Sequence, residues 1–165
     1  MKNLKKRGQQ TMGLPFGMIF SIILVVVFVV IAFMAIGNFL DIGKSAGVGL
    51  FYTELQEAVD NSWRGQSSET IFKINLPNGI DTICFSNLSS EITEETEYYN
   101  QIKNYDVYEA NTFLIPPENA QQMQWKLINH LDIGEITKDQ NPYCVSTNQD
   151  LKLKKGFYDK LVLIE

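Results

Sequence analysis

Residues 14–36 form an almost uninterrupted apolar run behind a short basic head, and nothing else in this chain limits its fold so severely. The run holds 23 residues and no charged side chain. As an α-helix it is roughly 35 Å long, against a bilayer hydrocarbon core of about 30 Å. A helix apolar on every side belongs in lipid or in a large protein core. The core helix of a soluble protein needs no basic flank and seldom runs past about 20 unbroken apolar residues. The expectation is one membrane-crossing helix, with the lipid bilayer as its first partner.

Charge sets the expected orientation. Lys2, Lys5, Lys6 and Arg7 precede the run with no acidic residue among them. Residues 37–165 carry the remaining ten basic side chains against nineteen acidic ones. Basic residues flanking a span stay on the cytoplasmic side, so the N-terminus is expected inside and the C-terminal bulk outside. The acidic balance also argues against nucleic acid as a partner, because phosphate binding needs clustered Lys and Arg. Lys152, Lys154, Lys155 and Lys160 are the one basic cluster beyond the head, and they read as the solvent face of a hairpin. A cleaved secretory signal is a poor fit despite the small residues Ala35 and Gly37, since its apolar part would span about 7–15 residues. An uncleaved signal anchor satisfies the physics.

The inner flank adds a third reading. Arg7-Gly8-Gln9-Gln10-Thr11-Met12-Gly13 resembles the class III signal peptide of archaeal type IV pilin-like proteins. Arg7 and Gly8 match the residues before the cut in that family, Gln9 matches the first mature position, and Thr11 the third. The resemblance implies processing between Gly8 and Gln9 by a prepilin-type peptidase. It also implies self-assembly, or assembly with pilin-like partner subunits, into a cell-surface filament or pseudopilus-like complex. Gly13 stands where the family has a glutamate at the fifth mature position. That carboxylate is thought to neutralise a neighbouring subunit's terminal amine, so its loss bears on polymerisation more than on cleavage.

Residues 37–64 continue in helical rhythm. Phe51, Leu55, Val59 and Trp63 recur every fourth position, with Ala58 and Ser62 beside them, while Glu54, Glu57, Asp60 and Asn61 fill the other side. Gly65 suits the left-handed residue past a helix end. The stretch from 14 to about 64 therefore reads as one long helix, its inner half in lipid and its outer half against a domain. Gly43, Gly47 and Gly49 each cost about 1 kcal/mol against alanine, so a kink or break is expected near 43–49.

Beyond residue 68 the pattern becomes strand-like. Residues 70–76 alternate, Pro77-Asn78-Gly79 is a turn, and residues 80–85 return as the partner strand. Residues 88–103 are polar and acidic and read as an exposed loop or short helix. Residues 105–115 suggest another strand ended by Pro116-Pro117, and residues 118–130 a short helix with Met123, Trp125, Leu127 and Ile128. Three short strands follow, at 143–145, 151–153 and 161–164. The expected fold class is α+β: a long N-terminal helix packed on a small antiparallel sheet or sandwich. The expected organisation is head and processing signal at 1–13, span at 14–36, helix extension at 37–64 and an extracellular β-rich domain at 65–165.

Few residues suggest chemistry. Cys84 and Cys144 lie in strand-like segments on the oxidising side, where a disulfide is permitted; two free buried thiols are the alternative. Asn87-Leu88-Ser89 is the one sequon for an N-linked glycan. The acidic run around Glu94 and Glu95 lacks the ligand offsets and turn glycine of a calcium loop, and no Cys/His zinc spacing exists, so no metal is expected. His130, the single histidine, has no nucleophile near it in sequence and reads as a satisfied surface or capping residue. Without a phosphate loop, a hydrolase or kinase signature or a cofactor fingerprint, the chain is expected not to be an enzyme. Two functions remain: a processed pilin-like surface subunit, or an uncleaved bitopic protein with an extracellular partner-binding domain.

Overall fold

The structure is a computed structural model in which residues 13–90, 92 and 96–165 are described. The basic head with Gly8 and Gln9, and the acidic residues Glu91, Glu94 and Glu95, lie outside them. The chain divides into two compact units, Met1–Leu40 and Asp41–Glu165. Helix α1 (Gly13–Arg64) supplies all the described structure of the first unit and opens the second.

In the first unit every described side chain is exposed, including Ile19, Phe20, Ile23, Phe28, Ile31 and Phe33. An 18-residue window there reaches a mean hydropathy of 3.4 with none of it buried. A helix this apolar, with no covered face, is long and greasy enough to cross a membrane. It is compatible with a single-pass membrane protein.

The second unit folds around the other end of α1. Val48, Phe51, Tyr52, Leu55 and Val59 are at most 4% exposed and follow the 3–4 spacing expected of one buried stripe. Burying a Val, Leu or Phe in this way stabilises by about 1.5–3 kcal/mol each, so the stripe anchors the unit. Two antiparallel sheets receive it, and the result is the expected α+β arrangement. One sheet has the order β1-β6-β7, from Ser68–Phe72, Leu151–Lys155 and Leu163–Ile164. The other has the order β4-β3-β2-β5, from Trp125–Lys126, Thr112–Ile115, Thr82–Phe85 and Tyr143–Ser146. Two short helices, α2 (Glu97–Ile102) and α3 (Ile133–Ile136), complete it.

The central strands β2 and β3 are buried at every position. Ile83, Phe85 and Leu114 face the core that α1 enters, whereas Cys84, Phe113 and Ile115 face a second cluster closed by Ile102 of α2. Burial on both faces explains why these strands read as apolar runs rather than alternations.

Several expectations are corrected. No break occurs at 43–49, because the helix is held by what it packs against. A Cβ on Gly47 would lie 2.8 Å from the Pro77 ring and one on Gly49 3.5 Å from the Met123 sulfur, so these glycines admit close neighbours rather than a kink. Gly65 is not left-handed. The helix end is closed instead by hydrogen bonds from Gly65 N and Ser68 Oγ to Ser62 O, while Lys155 Nζ donates to Gly65 O. The hairpin expected between 70–76 and 80–85 does not form. The turn is there, with Gly79 at φ 99°, but β1 pairs with β6 and β2 pairs with β3 and β5. Ile74 and Leu76 pack on the main core instead of lining a strand pair.

The strand expected at 105–115 shrinks to Thr112–Ile115. The helix expected at 118–130 is absent: a single turn at Pro117–Ala120 leads to the extended β4. Its cause is Asn111, whose buried side chain acts as a surrogate strand residue. Nδ2 donates to Ile128 O and Oδ1 accepts from Ile128 N, each at 2.8 Å, so the segment after β4 is pinned extended. The three C-terminal strands appear close to their expected places, and the lysines on β6 alternate outward to meet carboxylates. Lys152 lies 3.2 Å from Glu69, and Lys154 lies 2.9 Å from Glu165.

Candidate functional site

The same periodicity that buries one stripe of α1 aligns a second stripe beside it. Thr53, Gln56, Glu57, Asp60, Asn61 and Arg64 lie along the flank of the buried residues. Facing them is the segment Gln122, Met123, Trp125 and Lys126, and between the two runs an open groove of about 990 Å³. All of it belongs to the second unit.

The far wall is held to the helix by side chains of α1. The Tyr52 hydroxyl donates to Met123 O at 3.2 Å, and burial pushes that phenol well above its ordinary range. One turn on, Gln56 treats the backbone of Asn129 as a strand partner: Asn129 N donates to Gln56 Oε1 at 2.8 Å and Gln56 Nε2 reaches Asn129 O at 3.4 Å. Another turn on, Asp60 Oδ1 accepts from Gln56 Nε2 at 2.8 Å and from His130 Nδ1 at 2.9 Å. A carboxylate can only accept, so Nδ1 carries the proton. The hydrogen bond from His130 is the main influence holding the Asp60 carboxyl below its ordinary range. That from Gln56 adds to it, as do the charges of His130 and Arg64, and burial opposes them. Trp63 completes the end of the wall, its indole stacked on the His130 ring at 3.8 Å and 4° and donating to Lys160 O.

Behind the other wall Trp125 pairs with Phe113 across β4 and β3 and packs on the second cluster, its ring stacked on Tyr108 at 4.5 Å and 21°. The side chains of Glu57, Asn61, Gln122 and Lys126 are exposed and make no hydrogen bond among the described residues. They leave the groove with free donors and acceptors on a pre-set frame.

The residues singled out by sequence lie elsewhere. Cys84 and Cys144 face each other across β2 and β5 and form a disulfide, which closes the loop of residues between them beneath α2. Asn87 is exposed on a turn, where its Oδ1 accepts from Ser89 N at 3.1 Å. Gly8 and Gln9 fall outside the described residues. No cluster of three metal-binding side chains occurs among the described residues. His130 is a paired residue, as expected of it, although its partner is 70 positions away. The groove itself escaped the sequence reading. Its helix wall is the polar side of α1, but the pattern of its other wall reads as a helix, where the structure has a single turn and the extended β4.

Comparison with protein-family models, with curated proteins and with solved structures returns no match for this chain.

Proposed function

We propose that this chain is a single-pass, pilin-like surface subunit. Its residues 14–36 sit in the membrane, its N-terminus faces the cytoplasm, and residues 65–165 form an extracellular domain on the helix extension 37–64. The observation that carries this reading is the fully exposed, charge-free stretch of α1 lying directly behind Arg7-Gly8-Gln9. The continuity of α1 into the second unit's core supports it, because a pilin-like subunit needs one helix that is both anchor and spine. The Cys84–Cys144 disulfide supports an oxidising outer compartment, and the exposed Asn87 is the position there that a glycan would take. The role is structural and interactive rather than catalytic, with a prepilin-type peptidase and further pilin-like subunits as partners.

Mass spectrometry of the N-terminus after extraction from native membranes tests the proposal. A peptide that begins at Gln9 is expected, and Gly8→Asp should abolish it. Recovery of intact Lys2-Asn3-Leu4 as the major species would reject processing and leave an uncleaved bitopic protein with an outer partner-binding domain.

A further inference from the structure

Two exposed patches of the second unit carry opposite charge and take no part in anchoring, in processing or in the groove. The first is the turn that leads from β6 toward β7. Gly156 N donates to Asp159 Oδ2 at 2.7 Å and Asp159 N to Gly156 O at 3.2 Å, so Phe157 and Tyr158 occupy the corner of a closed turn. Helix α1 holds both ends of it: Lys155 Nζ donates to Gly65 O at 2.7 Å, and the Trp63 indole donates to Lys160 O at 3.1 Å. Turn corners are ordinarily polar, yet Phe157 is 64% and Tyr158 91% exposed, their rings edge to face at 5.1 Å. Lys155 and Lys160 flank the two rings and form no ion pair among the described residues.

The second patch lies over the second cluster. Tyr105 and Tyr108 have ring centroids 6.4 Å apart, and Tyr108 covers Trp125. Val107, 78% exposed, and Tyr108, 49% exposed, stand out from it. Burial, and then the charge of Glu118, push the Tyr105 phenol up, so a carboxylate stands close to this ring. Asp106 and Glu109 bracket Val107 and Tyr108 along the chain. All three carboxylates are exposed and make no hydrogen bond or ion pair among the described residues.

We infer that the Phe157-Tyr158 turn of one copy docks on the face around Tyr105 and Tyr108 of a second copy. This one chain supplies both halves: aromatic surface meets aromatic surface at the centre, and Lys155 and Lys160 meet Asp106, Glu109 and Glu118 at the rim, where opposite charge sets the register. A lipid surface would accept the cationic aromatic turn, but it would leave the acidic face without a use. Because the two patches differ, the contact is head to tail. Each docked copy keeps one turn or one face free, so further copies add in the same way. The inference rests on the proposed assembly of like subunits for its setting, while the contact itself uses only the second unit.

The test uses the full chain, uncut at Gly8, in bicelles of phosphatidylcholine and phosphatidylglycerol, with the photoreactive p-benzoylphenylalanine in place of Phe157. Mixing isotopically heavy and light chains marks each cross-link between copies by its mixed mass pattern. Irradiation should join the turn of one chain to residues 105–109 of another. Tyr158→Ala should lower that yield about tenfold or more, the loss of a central aromatic anchor. Lys160→Glu should lower it about two- to fivefold, the weight of an exposed ion pair. Adding Asp106→Lys and Glu109→Lys to Lys160→Glu should restore it, which a misfolded variant would not do. All four side chains are exposed, so these variants should fold normally, and far-ultraviolet circular dichroism checks this. The inference is overturned if no cross-link joins two copies, or if the cross-links run only to lipid, to the same chain or to the apolar stretch of α1. A yield indifferent to Tyr158→Ala and to the charge exchange would also overturn it. Gly8 is uncut throughout, so failure of the contact and failure of processing are read separately.

Discussion

His130 shows how much one residue does here. Its backbone lies at φ 67°, its Nδ1 donates to Asp60 and its ring is covered by Trp63, so it ties the 126–131 segment to α1. The carboxyl of Asp60 is held below its ordinary range chiefly by the hydrogen bond from His130. A depressed carboxyl binds its proton less readily when folded than when unfolded. Its stabilising contribution is therefore complete above the unfolded carboxylate range, about 4, and is lost as pH falls through the depressed value. Because the pair is about one-third exposed, the contribution is under about 1 kcal/mol. Urea midpoints of the native chain and of Asp60→Asn should thus differ near neutral pH and converge as the pH falls below the ordinary carboxylate range. A gap that persists undiminished in acid would remove Asp60 from this role.

At the scale of elements, the outer part of α1 and the β2–β5 pair carry the second unit. Leu55 is fully buried in the stripe, and an aspartate there would place an unpaired charge in the core at a cost of about 3–5 kcal/mol. Glu57, two positions on, is exposed, so Glu57→Lys should change stability by less than about 0.5 kcal/mol. Limited proteolysis separates the two: rapid digestion of Leu55→Asp beside a resistant Glu57→Lys is the expected result, and equal resistance would make the helix a free stalk. The Cys84–Cys144 bond closes a loop of sequence separation 60. Constraining the unfolded chain in this way stabilises by up to about 4 kcal/mol. Reduction should lower the urea midpoint and release two thiols to labelling, while the unreduced protein should label at neither. Two thiols labelled in freshly purified, unreduced protein would remove the bond from this account.

For the molecule as a whole, the proposed processing and assembly raise one physical problem, the terminal amine. If Gln9 becomes the first residue, its ammonium would be costly to bury in a filament without a counter-charge, and Gly13 offers none. N-terminal glutamine can cyclise to a neutral lactam with loss of ammonia, which removes the charge without a glutamate. If the chain assembles as proposed, the Gln9 peptide is expected to be lighter by one ammonia. An uncyclised amine in purified filaments would show that another group neutralises it.

The long apolar helix, the α+β class, the buried stripe Phe51-Leu55-Val59 and the three C-terminal strands were legible from residues alone, because each rests on local periodicity and local periodicity is written along the chain. Pairing was not. Residues 70–76 and 80–85 have the pattern and turn of a hairpin, yet they belong to different sheets, since their partners are chosen by a core that residues 48–59 and 151–164 build together. The extended path of 125–128, with the turn at 129–130 that follows it, has the same origin. Its apolar spacing suits a helix, but Asn111 and Gln56 satisfy its backbone from 17 and 73 positions away, and two side-chain amides outweigh a weak propensity. The groove exists only because that path is extended. Periodicity therefore determined which faces are apolar, and the distant hydrogen bonds and core contacts of the tertiary structure decided which segments meet, because a contact between remote residues leaves no mark in the local pattern.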